Sequence, residues 1–498
     1  MKNKFIQLSC LGFLLASGAL SAQQLNTNYI EDLYQFTDNH ALYGTARNQA
    51  LGGSMGALGG DLSAMADNPA AAGVFLNSEA SFTADVSSNN LKINYANGSN
   101  NNKQNKFNLG QAGAVMVFNT GSPNEKWKNF AIGLNYNKNS QVNEKIDLPV
   151  DIQSKYGSLK QIYSEKEGNS DVTNLSFAAN YDNKLYLGLG LNFHQFSSSR
   201  LDGLVELNQD ANQTASYIKD YTPYDRTGTG FSVGVGVIGK VNKNLRLGLA
   251  YESPKWYRDV AESANEYGLT DSNQAFYVVS QRNYGENSFN SAQKFTASGA
   301  LVLGKKGLIN VDYTYNDFGS AKYIPENDNV FRGVNDYLNN YVKGSSSVRV
   351  GAETRIHDLS LRAGFRYIQS PFKEVSFEGV KNTYKPFGDL TGLSVGLGYN
   401  FGNFFVDAAY SYAQRDRNYL ISGLYFNNHP NANVRFSDIA PGVTDPKDPR
   451  LENGAREALE LNTFAEDNNN FDGTGYASSV QDVKEKLGNF SLSLGFRF

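Results

Sequence analysis

Three arginines, Arg349, Arg362 and Arg366, fall in two short runs of alternating polar and apolar residues, with Glu353 and Asp407 at the same phase of such runs. A guanidinium holds a carboxylate through two parallel hydrogen bonds, so this set can bind the head group of an acidic ligand. The same five side chains can equally neutralise one another as a structural network. A second set is apolar: Leu51, Met55, Leu58, Leu62 and Met65 lie in a glycine-rich stretch with almost no charge. Leucines and flexible thioethers adapt to ligands of varied shape, which suits a hydrophobic small molecule, and they serve as well for packing one segment against another.

Other chemistries find no support. The four histidines, His40, His194, His357 and His429, share no metal-ligand spacing, so neither haem nor a metal site is expected. Asn468, Asn470, Asp472 and Gly473 resemble part of a calcium loop but lack the leading Asp and closing Glu. The single cysteine, Cys10, sits in the N-terminal segment, which leaves no disulfide, thiolate site or cysteine nucleophile. His194 has no evident serine or acid partner in the sequence, so an enzyme is not expected, and no cofactor is implied. The run Gly52 to Gly60 has no lysine after it and no strand before it, which excludes a phosphate or dinucleotide loop. A net charge of -4 gives no electrostatic case for nucleic acid.

Lys2 and Lys4, an apolar run from Phe5 to Leu20 and the small residues Ser21 and Ala22 have the layout of a secretory signal peptide, residues 1–22, cleaved after Ala22. No later stretch approaches the roughly 18 to 20 apolar residues of a membrane-spanning helix. The composition, with 31 Phe, 30 Tyr and 48 Gly, favours strands and turns. Fourteen runs carry a period-two pattern: Glu79 to Tyr95, Lys106 to Asn119, Trp127 to Glu144, Asp171 to Tyr181, Lys184 to Leu207, Thr227 to Val241, Asn244 to Ser253, Gln293 to Leu303, Leu308 to Asp317, Ser346 to Ile356, Leu359 to Ile368, Gly392 to Phe401, Asn403 to Arg415 and Gly488 to Phe498. Rows such as Leu185, Leu187, Leu189, Leu191 and Phe193 make one face apolar. Arg246, Asp312, Arg349, Glu353, Arg355, Arg362, Arg366 and Asp407 fall on the other face. Charge facing lipid is costly, so this segregation predicts an all-β, up-and-down antiparallel transmembrane barrel of about 14 strands spanning residues 79–498.

Tight turns at Asp182-Asn183, Asn242 to Asn244, Gly304 to Gly307, His357-Asp358 and Gly402-Asn403 alternate with long polar segments near 145–170, 208–226, 254–292, 318–345, 369–391 and 416–487. Short turns inside and long loops outside put both termini in the periplasm. Trp127 and Trp256 fit the two aromatic girdles. The ending Asn489 to Phe498 resembles the C-terminal signal of Gram-negative outer-membrane barrels, which implies that Phe496 and Phe498 are read by the barrel-assembly machinery. Outer-membrane lipid is then the surrounding partner.

Residues 23–78 do not read as strand. Asn28 and Glu31 suggest a capping box, with Tyr29, Leu33 and Phe36 on one helical face, and Asp61 can cap a short helix ended by Pro69. This small, apolar, nearly uncharged segment can fold inside a barrel as a plug. Its run Gly44 to Gly73, with Asn68, Pro69 and Ala70 as an Asn-Pro-Ala motif, resembles the N-terminal segment of the FadL/OmpP1/TodX family of outer-membrane transport proteins. The resemblance implies a 14-stranded monomer whose N-terminal hatch closes the lumen. It implies passage of long-chain fatty acids or similar lipophilic molecules, with a lateral exit near the third strand, where Gly133 and Asn135 mark either a kink or ordinary wall. Some members look instead like scaffolds that bind exported proteins in a secretion system, and the 416–487 loop offers such a surface.

Overall fold

Along Leu185–Asn208 leucines alternate with glycine and polar residues, and the fold follows from that alternation: Leu185, Leu187, Leu189 and Phe193 face outward while Asn192 and His194 are buried inside. The computed structural model describes residues 29–37, 42–95, 98–120, 124–153, 157–208, 215–218, 224–264, 268–270, 276–278, 283–326, 329–375, 383–421 and 479–498. Fourteen wall strands run up and down: β1 (Glu79–Tyr95), β2 (Gly98–Asn119), β3 (Trp127–Gln153), β4 (Gly157–Tyr181), β5 (Leu185–Asn208), β6 (Tyr224–Lys240), β7 (Leu245–Glu252 and Trp256–Ala264), β8 (Asn283–Asn290 and Lys294–Val302), β9 (Gly307–Asn316), β10 (Ser345–Ile356), β11 (Leu359–Ile368), β12 (Leu390–Asn400), β13 (Phe404–Ile421) and β14 (Ser479–Arg497). β14 pairs antiparallel with β1 from Glu79↔Arg497 upward, which closes the barrel. The strands thus make one closed antiparallel barrel, and among the described residues no helix is long and apolar enough to cross a membrane.

The turns expected on the inner side are present. Asp182 and Asn183 both adopt positive φ, 54° and 52°, the backbone of a tight hairpin turn. The outer-side expectations need correction. β3 and β4 reach Gln153 and Gly157, so most of the expected 145–170 loop is ladder. β2 begins at Gly98 rather than Lys106, and the last strand at Ser479 rather than Gly488. The 254–292 segment continues β7 and β8 beyond interruptions at 253–255 and 291–293, where Pro254 removes a ladder donor. The physical reason is common to all. Above the lipid the outer face of a strand no longer has to be apolar, as Gln141, Asn143, Lys145 and Asp147 on β3 show, so the period-two signal fades where the strand does not.

Two segments fill the lumen. Residues 29–37 form a helix, α1, in the outer half, and residues 42–78 form the hatch, with α2 (Ala46–Ala50), α3 (Ala64–Asp67) and a 3-10 turn (Pro69–Val74). The outer mouth is roofed by α4 (Asn329–Tyr341) and by bridges pairing Val342 with Phe372 and Val375 with Tyr384. The expected signal peptide, Asn28, His40, His429 and the Asn468 to Gly473 stretch lie outside the described residues, as does 422–478 of the long last loop.

Candidate functional site

The hatch crosses the lumen on a floor of glycines. α2 packs against β11 to β14, and the 3-10 turn against β3 to β6. A Cβ on Gly188 would sit 2.2 Å from the Ala70 amide nitrogen, one on Gly236 1.9 Å from Asn68 Oδ1, and one on Gly364 2.3 Å from the Gly52 nitrogen. These are contacts that only a residue without a side chain permits. Asn68 ties the Asn-Pro-Ala motif together: its Oδ1 accepts from the Ala70 amide at 3.1 Å, capping the 3-10 turn, while its Nδ2 donates to Gly56 O at 2.7 Å. Pro69 opens that turn, where a missing N–H costs nothing. Asp61 does not cap α3, whose N-cap is Ser63. Its carboxylate accepts instead from the Thr45 hydroxyl and the Ser63 amide and so ties the start of the hatch to its middle. Burial pushes the Asp61 carboxyl above its ordinary value, against the pull of Arg47, Thr45 and Ser63. Asn68→Ala removes both clamps, and we expect a loss of about 1–2 kcal/mol in hatch seating with the barrel intact. Proteolysis of folded protein, with cleavage within 42–78 as readout, checks this.

The sequence-selected residues are sorted by the fold. Leu51, Met55, Leu58, Leu62 and Met65 do come together, in a buried cluster with Val115, Ala131, Ala178, Ala300 and Leu308 of the wall. They pack the hatch tightly, Met65 against the inward face of Gly133. Gly133 and Asn135 are thus ordinary wall, in unbroken register with β2 and β4. Arg349 donates to Gly53 O and approaches Asp67, and Arg362 is taken by Glu353 and Asp407. Arg47 of the hatch joins the same Glu353 at 3.2 Å, a contact between hatch and wall that sequence spacing did not signal. Arg366 alone of the three lines a narrow pocket of about 40 Å3 that opens to solvent, over the hatch residues Leu42 and Tyr43, with Gln104, Lys106, Ser411 and Asn489.

That pocket lies where the wall parts. β2 and β3 pair from Asn119↔Asn129 to Gln111↔Asn137 and no farther, although β1–β2 continues to Tyr95↔Gly98 and β3–β4 to Gln153↔Ser158. A bulge between Lys138 and Ser140 turns β3 at this point. The strands meet again higher up, where Asn100 Nδ2 donates to Asp147 O. Between these contacts is an opening flanked by Gln104 and Lys106 on one side and Gln141 and Asn143 on the other. Phe107 and Leu109, 73% and 39% exposed, still face outward beside it. Since a membrane strand is about 9–11 residues, the opening starts near the outer edge of the lipid band.

His194 has partners the sequence hid. Its Nε2 lies 2.8 Å from Ser232 Oγ, and that hydroxyl donates to Glu252 Oε1 at 2.8 Å. A hydrolytic triad needs the histidine to take the serine proton and the acid to hold the histidine. Here the serine proton goes to the acid. Glu252 also pairs with Lys294, which reaches Asp67 of the hatch, so the set forms part of the hatch anchorage. His357 lies in an exposed inner turn at φ 56°.

The comparisons agree with this architecture. A family model for outer membrane protein transport proteins (OMPP1/FadL/TodX) matches residues 37–423. Outer membrane protein P1 of Haemophilus influenzae is 27% identical over 308 residues, which are 54% of this chain and 63% of the relative's length. Among solved structures, a Pseudomonas aeruginosa FadL homologue aligns with a TM-score of 0.55 at 15% identity, covering 92% of this chain and 99% of the other. The Pseudomonas putida toluene transporter TodX aligns with a TM-score of 0.54 at 13% identity, covering 93% and 100%. At such identities these two establish the fold.

Proposed function

Because the chain belongs to the OMPP1/FadL/TodX family of outer-membrane transport proteins, we propose that it passes hydrophobic small molecules, long-chain fatty acids or similar lipophilic compounds, across the outer membrane and releases them sideways. The observation that carries this reading is the parting of β2 from β3 over the Arg366 pocket, in a wall whose lumen is closed below by the hatch. A greasy solute that leaves through the opening enters lipid without crossing the periplasmic water beneath the plug. Arg366 steers an acidic end on this route over Leu42 and Tyr43 of the hatch, and the packed hatch quintet, Leu51, Met55, Leu58, Leu62 and Met65, is the apolar barrier that closes the lumen elsewhere. The relative TodX is a toluene transporter, so neutral aromatics belong among the substrates to be tried.

Uptake of oleate and toluene by cells lacking other such barrels tests the reading. Gln141→Trp, which fills the opening, should slow uptake of both. Arg366→Gln should slow oleate about tenfold, the worth of a hydrogen bond to a charged group, and leave toluene unchanged. Uptake of both at the wild-type rate in Gln141→Trp would overturn the lateral route.

A further inference from the structure

The outer half of the lumen holds an aromatic chamber lined by Phe196, Tyr257, Phe289, Phe318, Tyr323 and Phe387 of the wall and loops, and closed by α4. It is the largest apolar cluster of the described lumen, and α1 fills it. Tyr29, Ile30, Leu33, Tyr34 and Phe36 are each no more than 3% exposed. Phe36 stacks on Phe196 at 5.7 Å, and Tyr34 packs on Phe387 at 4.9 Å. Amid these rings the helix sets the Asp32 carboxylate on Lys166 at 2.6 Å and Arg226 at 3.2 Å, both cations buried in the wall, with Glu262 of the wall also beside Arg226 at 3.7 Å. Burial raises the Asp32 carboxyl, but the two cations outweigh it and hold the group below its ordinary value.

An apolar body ending in a carboxylate clasped by two buried cations is the chemical form of a carboxylated hydrophobe. We propose that α1 is an intramolecular stand-in for such a ligand: the aromatic chamber is a capture site for a hydrophobic carboxylate, which displaces α1 and places its head group on Lys166 and Arg226. The proposal rests on the transport reading above and deepens it by naming a site, a ligand class and a competitor. Two physical arguments favour exchange over permanent closure. A buried ion pair repays little beyond its own desolvation, so swapping the Asp32 carboxylate for a ligand carboxylate is close to neutral. Ordering nine residues of helix carries a conformational cost that the released segment recovers, whereas the wall is held by its own ladder and loses nothing. Glu31 and Gln35 are likewise held by side chains of the wall and loops, Tyr384 and Glu144, polar partners that water satisfies when α1 leaves, while the apolar space goes to the chain of the ligand.

The test uses the full chain in detergent. Hydrogen exchange of the wild type with and without oleate should show faster exchange of residues 30–37 on binding, with the wall strands unchanged. Leu33→Asp, which places a charge inside this buried apolar cluster, should undock α1 and raise oleate affinity at least tenfold. Oleyl alcohol, the same chain without the charge, should gain far less, and adding Arg226→Gln to Leu33→Asp should abolish the oleate gain. If oleate binds while α1 stays protected, or if Leu33→Asp leaves oleate affinity unchanged, the stand-in is refuted and the transport reading stands. An equal gain for oleate and oleyl alcohol refutes the carboxylate assignment. If no form binds or takes up oleate or toluene, the transport reading fails and the proposal falls with it.

Discussion

Gly188→Val will open the pore. In the native wall the inward face of Gly188 lies against the backbone of Pro69 and Ala70, where even a single Cβ would come within 2.2 Å of the Ala70 nitrogen and 2.3 Å of the Pro69 carbonyl carbon. Neither neighbour is the end of a flexible side chain. The 3-10 turn they belong to is fixed by Asn68 and by its packing on β4, β5 and β6. Overpacking a tight interface costs about 3 kcal/mol, which shifts the ratio of seated to unseated hatch by a factor on the order of a hundred. The barrel itself is held by the β4–β5 and β5–β6 ladders, which valine suits as well as glycine. The expected result is a protein that keeps its heat-modifiable mobility on gels but conducts ions in a planar bilayer where the wild type is silent. Gly239→Ala is the control, since a Cβ there meets nothing within 4 Å. Silent bilayers for Gly188→Val would mean that the hatch can shift without unseating.

The glycine floor also shows how far the sequence could be read. The leucines of LYLGLGL announce a strand with one face in lipid, and the alternating glycines were legible only as the small residues between them. Their purpose depends on which segment approaches, and that is a tertiary fact. The Asn-Pro-Ala motif was visible as a pattern, but its work, a cap to Ala70 and a clamp to Gly56, needs the fold of the hatch. His194 misled for the same reason: Ser232 and Glu252 stand on β6 and β7, and only the register of three strands brings them within reach. Strand existence was legible wherever lipid imposes period two. Strand length was not, because above the lipid the wall is bathed by water on its outer face and the composition relaxes. The helical face of Tyr29, Leu33 and Phe36 was readable, whereas burial on every side of α1, with Ile30 and Tyr34 equally covered, was not. A helix with polar Glu31, Asp32 and Gln35 reads as amphipathic until the buried cations of the opposing wall are known.

Glu353 offers the second large effect, through charge rather than volume. Its carboxylate, fully enclosed, meets Arg47 of the hatch at 3.2 Å, Arg355 at 2.6 Å and Arg362 at 2.7 Å, while Arg362 continues to Asp407. Glu353→Gln keeps the shape and removes the charge, leaving Arg362 on Asp407 and Arg47 with only the more distant influence of Asp61 and Asp407. Breaking a buried network from one side costs about 3–5 kcal/mol, chiefly because the surviving charges stay desolvated. Most of that loss should fall on the hatch. Arg355 is 41% exposed and can turn to water, and Arg362 retains Asp407, but Arg47 keeps only the Gly60 carbonyl at 3.3 Å among its close partners. A double-mutant cycle separates the shares: Glu353→Gln and Arg47→Gln should each raise bilayer conductance, and their combination should do little more than either alone, with a coupling of about 1–3 kcal/mol. Additive effects would show that Glu353 braces the wall alone. Coupled effects would make Arg47–Glu353 a latch, one that any ligand-driven movement of the hatch has to release.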